Sequence, residues 1–116
     1  MKVFVIDDDE IMAECIARVV GESAEVFSNA IKAMRVIDDN GIPDLIFLDI
    51  LLDGPDGFTF LNELASYTDT AKIPIVIVSS LDFSNNDLSK YGVVGFLNKD
   101  EMKPEEIKSY VEKYRH

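Results

Sequence analysis

The stretch Asp44-Leu45-Ile46-Phe47-Leu48-Asp49 decides how the rest of the chain is interpreted. Its four apolar residues follow one another without polar alternation, and the run is too short for a helix, so it predicts a strand buried on both faces. The chain then turns through residues 52–57, which are rich in Asp, Gly and Pro. Asp49 therefore ends a buried strand. Taken alone, it is either a capping or solvated acid, or a reactive carboxylate on a rigid frame.

Length and composition predict a single domain spanning residues 1–116. The chain is 47% hydrophobic, which argues against disorder and for a real core. Its 11 basic and 22 acidic residues give a formal net charge of -11. This argues against nonspecific binding to nucleic acid or to anionic membranes, because both need a cationic face. The lone cysteine, Cys15, excludes an internal disulfide and is expected to be a small core residue. With no basic leader and no apolar stretch of membrane-spanning length, a cytoplasmic location is expected.

Apolar runs alternate with amphipathic segments along the whole chain. The runs that predict strands cover residues 2–6, 24–27, 44–49, 73–78 and 93–98. The segments that predict helices cover residues 12–20, 30–37, 58–65, 84–91 and 104–114. This alternation over short connections predicts an α/β fold, a five-stranded parallel sheet with helices on both faces. Five such units suit the order 2-1-3-4-5 of flavodoxin-like, doubly wound folds, whose ligands bind beyond the carboxyl ends of strands 1 and 3.

Polar side chains follow four of the five predicted strands. They are two acids after strand 1, an acid after strand 3, a hydroxyl after strand 4 and an ammonium after strand 5: Asp7, Asp8, Asp49, Ser79 and Lys99. Crowded carboxylates raise each other's proton affinity unless a cation neutralises them. Because the donors are oxygens with no His or Cys nearby, that cation is predicted to be Mg²⁺, with Mn²⁺ as a substitute. An Asp can also act as a nucleophile and form an aspartyl-phosphate, whose oxygens Lys99 and Ser79 can contact.

The chain resembles the receiver domain of two-component response regulators, the family of the single-domain chemotaxis regulator. The similarity runs from residue 3 to about residue 114. Four segments carry it: Val5-Ile6-Asp7-Asp8-Asp9, the opening stretch with Asp56-Gly57 after it, Ile75-Val76-Ile77-Val78-Ser79-Ser80 and Gly95-Phe96-Leu97-Asn98-Lys99. Each motif alone is weakly specific, whereas all four in this order and at these spacings are highly specific.

The resemblance implies a phosphoacceptor and a metal site. Asp49 would be the phosphoacceptor. Together with Asp8 and the backbone carbonyl of Leu51, it would also ligate Mg²⁺. Asp7 would act on the metal through water or as an outer acid.

The resemblance also implies a switch and its partners. Ser79 and Lys99 would contact the phosphoryl group, Ser79 would move towards it and the ring of Phe96 would turn inward. Position alone equally allows Phe96 to be a static core aromatic. The movements would change the face formed by the fourth helix, the fifth strand and the fifth helix, a face that also allows a homodimer. The phosphoryl group would come from a histidine kinase or a histidine phosphotransfer protein, and the face would control a downstream protein or an output domain.

This chain departs from the family pattern close to the predicted site. Asp100 stands where a proline usually follows the lysine, so a cis Lys-Pro bond cannot hold that loop. Asp53 replaces a second common proline and adds an acid. Leu51 and Leu81 are apolar, and we expect them to restrict water at the phosphoryl group and to slow its hydrolysis.

Two other functions compete with the switch. One is a Mg²⁺-dependent phosphatase that works through an aspartyl-phosphate. Such enzymes usually carry a second acid two residues after the nucleophile, where this chain has Leu51, and 116 residues leave no room for a cap domain. The other is a degenerate receiver that only binds proteins, against which the retention of all five site residues argues. The predicted function is therefore a signalling switch rather than a turnover enzyme.

Overall fold

Five strands form one parallel sheet in the computed structural model of the protein, which describes residues 1–50, 57–81 and 88–115. The strands are β1 (Val3–Ile6), β2 (Ala24–Phe27), β3 (Leu45–Asp49), β4 (Ile75–Ser79) and β5 (Val93–Asn98). Their order is β2-β1-β3-β4-β5, and every neighbouring pair is parallel. This confirms the predicted fold class.

Four α-helices are present among the described residues and cover both faces of the sheet: three lie between strands, and the last follows β5. They are α1 (Glu10–Val20), α2 (Ala30–Asn40), α3 (Gly57–Ala65) and α4 (Pro104–Lys113). Two 3₁₀ turns, Thr70–Lys72 and Ser89–Tyr91, precede β4 and β5. Among the described residues, no helix is long and apolar enough to cross a membrane.

The two faces of the sheet bury separate apolar clusters, because side chains alternate along each strand. One cluster packs residues such as Phe4 and Ile46 with side chains of α2 and α3. The other packs the intervening residues, such as Val5 and Phe47, with side chains of α1 and α4. Every residue of β1, β3 and β4 is buried, which explains the unbroken apolar runs of these strands.

The structure corrects the predictions for Cys15 and for the start of the fourth strand. Cys15 is exposed rather than in the core, because the buried stripe of α1 passes through Ala13 and Ile16. The fourth strand begins at Ile75 rather than at residue 73. The amide of Ile73 donates instead to the carbonyl of Thr70 at 3.2 Å and closes the preceding turn.

The predicted helix over residues 84–91 is only partly described. Residues 84–87 lie outside the described residues, and Ser89–Tyr91 form a 3₁₀ turn rather than an α-helix. The predicted fifth helix is therefore α4, the fourth described α-helix.

Gly57, the first residue of α3, lies against the backbone just beyond β3. Its amide donates to the carbonyl of Ile50 at 3.0 Å. A Cβ at this position would lie 2.6 Å from Cα of Ile50. Because backbone atoms cannot swing aside as the end of a flexible side chain can, the contact requires glycine.

Gly57→Ala should lower the free energy of unfolding by about 1–3 kcal/mol, because the new methyl group must displace the backbone of Ile50. Urea denaturation measures the change. Asn62→Ala, at an exposed position of the same helix, is the control and should change stability by less than about 0.5 kcal/mol. A Gly57→Ala protein as stable as the wild type would contradict this account of the contact.

Candidate functional site

The carboxyl ends of four strands bring the predicted site residues to one edge of the sheet. Asp49 is the last residue of β3, and Ser79 is the last residue of β4. Asp7 follows β1, and its amide donates to the carbonyl of Phe27 at 3.0 Å. Lys99 follows β5, and its amide donates to the carbonyl of Ser79 at 3.0 Å. The sheet ladder therefore continues into the site and fixes the backbone of its residues.

The ammonium group of Lys99 lies between two buried carboxylates. Its Nζ is 3.2 Å from Oδ2 of Asp7 and 3.2 Å from Oδ2 of Asp49. It donates hydrogen bonds to Oδ1 of Asp7 and to Oδ2 of Asp49. Because Asp7 and Asp49 are only 2% and 5% exposed, the ammonium replaces part of their lost hydration. Burial lowers the pKa of Lys99, but the attraction of the two carboxylates outweighs burial and raises that pKa above its ordinary value.

Asp7, Asp8 and Asp49 form a cluster of three carboxylates. One oxygen of each lies within 4.8 Å of the others. Burial raises the pKa of Asp7 to about 6 from an ordinary 3.8, helped by the charge of Asp49 and opposed by the amide of Asp9 and by Lys99. The folded protein therefore binds this proton more tightly than the unfolded chain does. The contribution of Asp7 to stability falls as the pH rises from 3.8 to about 6.

The donor set of this cluster fits a hard divalent cation. All three groups are carboxylates, which Mg²⁺ prefers as protein ligands. Oδ2 of Asp7 is buried and accepts no hydrogen bond from the part of the chain that the structure describes. It contacts Lys99 as an ion pair. A divalent cation would relieve the repulsion within the cluster, so these residues could hold Mg²⁺. The predicted carbonyl ligand, Leu51, lies outside the described residues, as does Asp53.

Asp9 orients the carboxylate of Asp7, a role that the sequence analysis missed. Its side chain accepts hydrogen bonds from the amides of Ile11 and Met12 at 3.1 and 3.2 Å and caps α1. Its own amide donates to Oδ1 of Asp7 at 2.9 Å. The start of the helix thus holds one oxygen of the buried carboxylate in place. An Asp directly before a helical apolar pattern is the available sequence signal for the cap, but nothing local reveals the second contact.

Asn98 holds the loop at Lys99, and sequence reasoning missed this role too. The Oδ1 atom of Asn98 accepts a hydrogen bond from the amide of Asp100 at 2.8 Å. Its backbone carbonyl accepts one from the amide of Met102, also at 2.8 Å. Turns of this kind are typical of Asn. A side-chain hydrogen bond therefore shapes the loop that follows Lys99.

Ser79 and Phe96, the predicted switch residues, border one cavity of about 290 Å³. Leu81, Asn98 and Glu101 also line it. Ser79 is buried, and its Oγ accepts a hydrogen bond from the amide of Leu81 at 3.1 Å. The side chain of Phe96 is half-buried, and Leu81 is 56% exposed. The structure thus brings the two residues together, while their movement stays a prediction.

The sheet order and the site place the protein in a defined class, the doubly wound α/β domains whose site lies at the topological switch point. Within that class, the family model for the response regulator receiver domain matches residues 3–112. The chain belongs to the response regulator receiver domain family, which confirms the resemblance seen in the sequence. Members of this family are signalling switches rather than turnover enzymes, and receiver domains generally bind Mg²⁺ at an acidic pocket.

The chain is similar to parts of longer proteins and to isolated receiver domains. It is 42% identical over 41 residues to the response regulator PleD of Caulobacter vibrioides, covering 35% of this chain and 9% of PleD. It is 29% identical over 112 residues to protein-glutamate methylesterase/protein-glutamine glutaminase 2 of Oleidesulfovibrio alaskensis, covering 85% of this chain and 29% of that protein. The chain thus spans less than a third of the length of these curated relatives. The crystal structure of the receiver domain of NtrX from Brucella abortus has a TM-score of 0.82 at 25% identity, over 97% of each chain.

Asp7→Asn should make the protein more stable than the wild type when Mg²⁺ is absent and less stable than the wild type when Mg²⁺ is present. Without metal, the variant should be more stable than the wild type by about 1–3 kcal/mol, because it removes a charge that burial disfavours. Its amide oxygen can still accept the hydrogen bond from Asp9. Millimolar Mg²⁺ should then stabilise the wild type by mass action, whereas the variant lacks a carboxylate of the cluster.

Melting temperatures with and without Mg²⁺ measure both effects. Asp39→Asn, at an exposed position of α2, should respond to Mg²⁺ as the wild type does. A wild-type melting temperature that is insensitive to millimolar Mg²⁺ would count against the metal site.

Proposed function

We propose that Asp49 accepts a phosphoryl group from a phosphohistidine, carried by a histidine kinase or a histidine phosphotransfer protein, in a Mg²⁺-dependent reaction. Residues 1–116 act as the receiver domain in this proposal. Phosphorylation of Asp49 changes the surface of the domain and so controls a downstream partner. Membership of the receiver family supports phosphorylation-dependent signalling.

The position of Lys99 is the observation that carries this proposal. A partly buried ammonium 3.2 Å from oxygens of both Asp7 and Asp49 holds a positive charge beside the proposed nucleophile. A lysine is a compact charge on a flexible stem, so it can shift from the carboxylates to a phosphoryl oxygen without leaving the site.

Asp49 acts as the nucleophile in the proposed step. One carboxylate oxygen forms a bond to phosphorus while the bond from phosphorus to the donor's imidazole nitrogen breaks, and the imidazole keeps the electron pair. Negative charge spreads over the phosphoryl oxygens in the transition state. Lys99 pairs with one of them. The Oγ atom of Ser79 already accepts a hydrogen bond from the amide of Leu81. Its hydroxyl proton can therefore be donated to another phosphoryl oxygen.

Asp8 and Asp49 are the proposed protein ligands of the cation, with the backbone carbonyl of Leu51 as a further one, and Asp7 acts on the cation through water or as an acid beside the ligands. Bound Mg²⁺, or Mn²⁺ in its place, would neutralise the cluster and the incoming phosphoryl oxygens. Burial, helped by the charge of Asp49, raises the pKa of Asp7 to about 6, and a cation bound nearby would offset the cost of ionising this carboxylate.

The proposed output is a change in the face that includes the segment before β5, β5 itself and α4. Ser79 moves towards the phosphoryl group, and the ring of Phe96 follows into the cavity that both residues border. The partner of this face is a downstream protein or an output domain, and a second copy of the chain is a further possible occupant. The net charge of -11 supports a partner other than nucleic acid or an anionic membrane for the domain itself.

Incubation with acetyl phosphate and Mg²⁺, followed by mass spectrometry of the intact protein, tests the proposal. The wild type should gain the mass of one phosphoryl group. Asp49→Asn, which keeps the size of the side chain but removes the nucleophile, should gain none. Asp39→Asn is the matched control at an exposed position and should be phosphorylated like the wild type.

The same experiment separates the competing functions. A wild type that gains no phosphoryl group would point to a module that only binds proteins. Rapid turnover of many phosphomonoesters, without a stable adduct, would point to a phosphatase. If Asp49→Asn forms the adduct in the same yield as the wild type, the phosphoacceptor is a residue other than Asp49.

Leu81→Glu should shorten the lifetime of the phosphorylated protein, because a polar side chain beside Ser79 can hold an attacking water that the exposed leucine does not. Leu51→Asn should act in the same direction. Ile42→Glu, which adds the same charge before β3 at the opposite end of the sheet, is the control. Loss of the phosphoryl mass over time after acetyl phosphate is removed gives the rate, and an unchanged rate in both site variants would refute the proposed role of the leucines.

A further inference from the structure

Tyr110 of α4 lies at the free edge of β5. This strand is the outermost of the described sheet, so the backbone groups along one of its edges have no partner among the described strands. The amide of Lys99 donates inward, to Ser79 of the neighbouring β4. Because successive residues of a strand direct their backbone groups to opposite sides, the amide of Phe96, three residues earlier, points to the free edge. There the hydroxyl of Tyr110 lies directly against the strand, where a Cβ at Gly95 would overlap it, and it is close enough to hydrogen-bond with the backbone of Phe96.

The phenol oxygen is the acceptor of this hydrogen bond. Burial raises the pKa of Tyr110, and the bond from the backbone of Phe96 opposes that shift. A hydrogen bond lowers the pKa of a phenol when it is donated to the oxygen, since it then stabilises the phenolate. The tyrosine thus satisfies an edge amide that would otherwise need water or another chain.

Gly95 makes room for this contact. A Cβ at position 95 would overlap the hydroxyl and the ring of Tyr110. A glycine inside a strand weakens it, and it commonly marks a place where another group approaches the backbone closely. Here the approaching group is the tyrosine, which crosses the strand at Gly95 to reach the next residue.

Phe96 therefore connects two parts of the molecule. Its ring packs against the cluster that includes side chains of α2 and α3, and it borders the cavity next to Ser79. Its amide, on the other hand, is held by Tyr110, which packs in the cluster of α1 and α4 on the opposite face of the sheet. A displacement of this one residue acts on both faces.

We propose that Tyr110 is a positioning residue that couples the main chain of Phe96 to α4. The inference rests on the proposed switch function. When the ring of Phe96 turns towards Ser79, its peptide group moves at the edge of β5, and the hydroxyl bonded to it moves as well. Because the tyrosine ring is rigid, α4 must follow or the hydrogen bond must break. Through Tyr110, phosphorylation at the site therefore changes the position of α4.

Tyr110→Phe tests the coupling, since it removes only the hydroxyl. Tyr114→Phe is the matched control, a half-buried tyrosine one turn further along the chain in the same cluster. Hydrogen exchange measured by NMR should be about five- to tenfold faster at the amide of Phe96 in Tyr110→Phe, as expected for the loss of one hydrogen bond, and unchanged in Tyr114→Phe. Gly95→Ala should reproduce the effect of Tyr110→Phe by displacing the ring.

The second measurement uses acetyl phosphate and Mg²⁺. In the wild type and in Tyr114→Phe, phosphorylation should shift the amide resonances of α4. In Tyr110→Phe, the phosphoryl adduct should form in equal yield by mass, but the shifts of α4 should be less than half as large. A merely structural role for the hydroxyl would leave these phosphorylation-linked shifts intact.

Two results would overturn the proposal. They are equal exchange of the Phe96 amide in Tyr110→Phe and the wild type, and equal phosphorylation shifts of α4 in both proteins. A wild type that forms no adduct would instead overturn the proposed function, and with it the signalling role of Tyr110. The exchange measurement would still report whether the hydroxyl holds the edge of β5.

Discussion

The ion pairs of Lys99 are the interaction on which the rest of the site depends. Lys99 follows β5, yet its ammonium contacts acids at the ends of β1 and β3, so the side chain reaches across the end of β4. Only a long, flexible cation can span that distance. The contact also requires correct pairing of four strands, because an error in the register of any one would move its acid or the lysine away. The ion pairs of the site therefore form only when the strands of the sheet are correctly ordered and paired.

Much of the fold could be predicted from the sequence, because the strongest signals are local. Runs such as 45–48 and 75–78 are apolar on both sides of the strand, and a parallel sheet between helices is the arrangement that buries them. Parallel strands also place all their carboxyl ends at one edge, which is why the sequence alone could group Asp7, Asp49 and Ser79. Once the topology was predicted, the residues at the carboxyl ends of the strands were the natural candidates for the site.

What the sequence did not reveal are contacts that depend on the approach of distant or irregular segments. Asp9 and Asn98 each hold a backbone amide near the site, but their type and position indicate only a cap or a turn. The last helix shows an apolar stripe that includes Tyr110. The hydroxyl of Tyr110 meets the edge of β5 only because position 95 lacks a side chain. The exposed position of Cys15 depends in the same way on how α1 is rotated against the sheet, which a short apolar pattern determines only to within one residue.

The separation of the site residues along the chain has a consequence for how the protein matures. Asp7 and Lys99 are 92 residues apart, and Asp49 and Lys99 are 50 apart. Contacts of such high sequence separation form late, because the entropy of closing long loops opposes them until most of the sheet is in place. The ammonium can join the two acids only after β5 has docked on β4. A chain still emerging from the ribosome, or one that has lost its last strand, therefore lacks the assembled pocket, and competence to signal appears only with the completed fold.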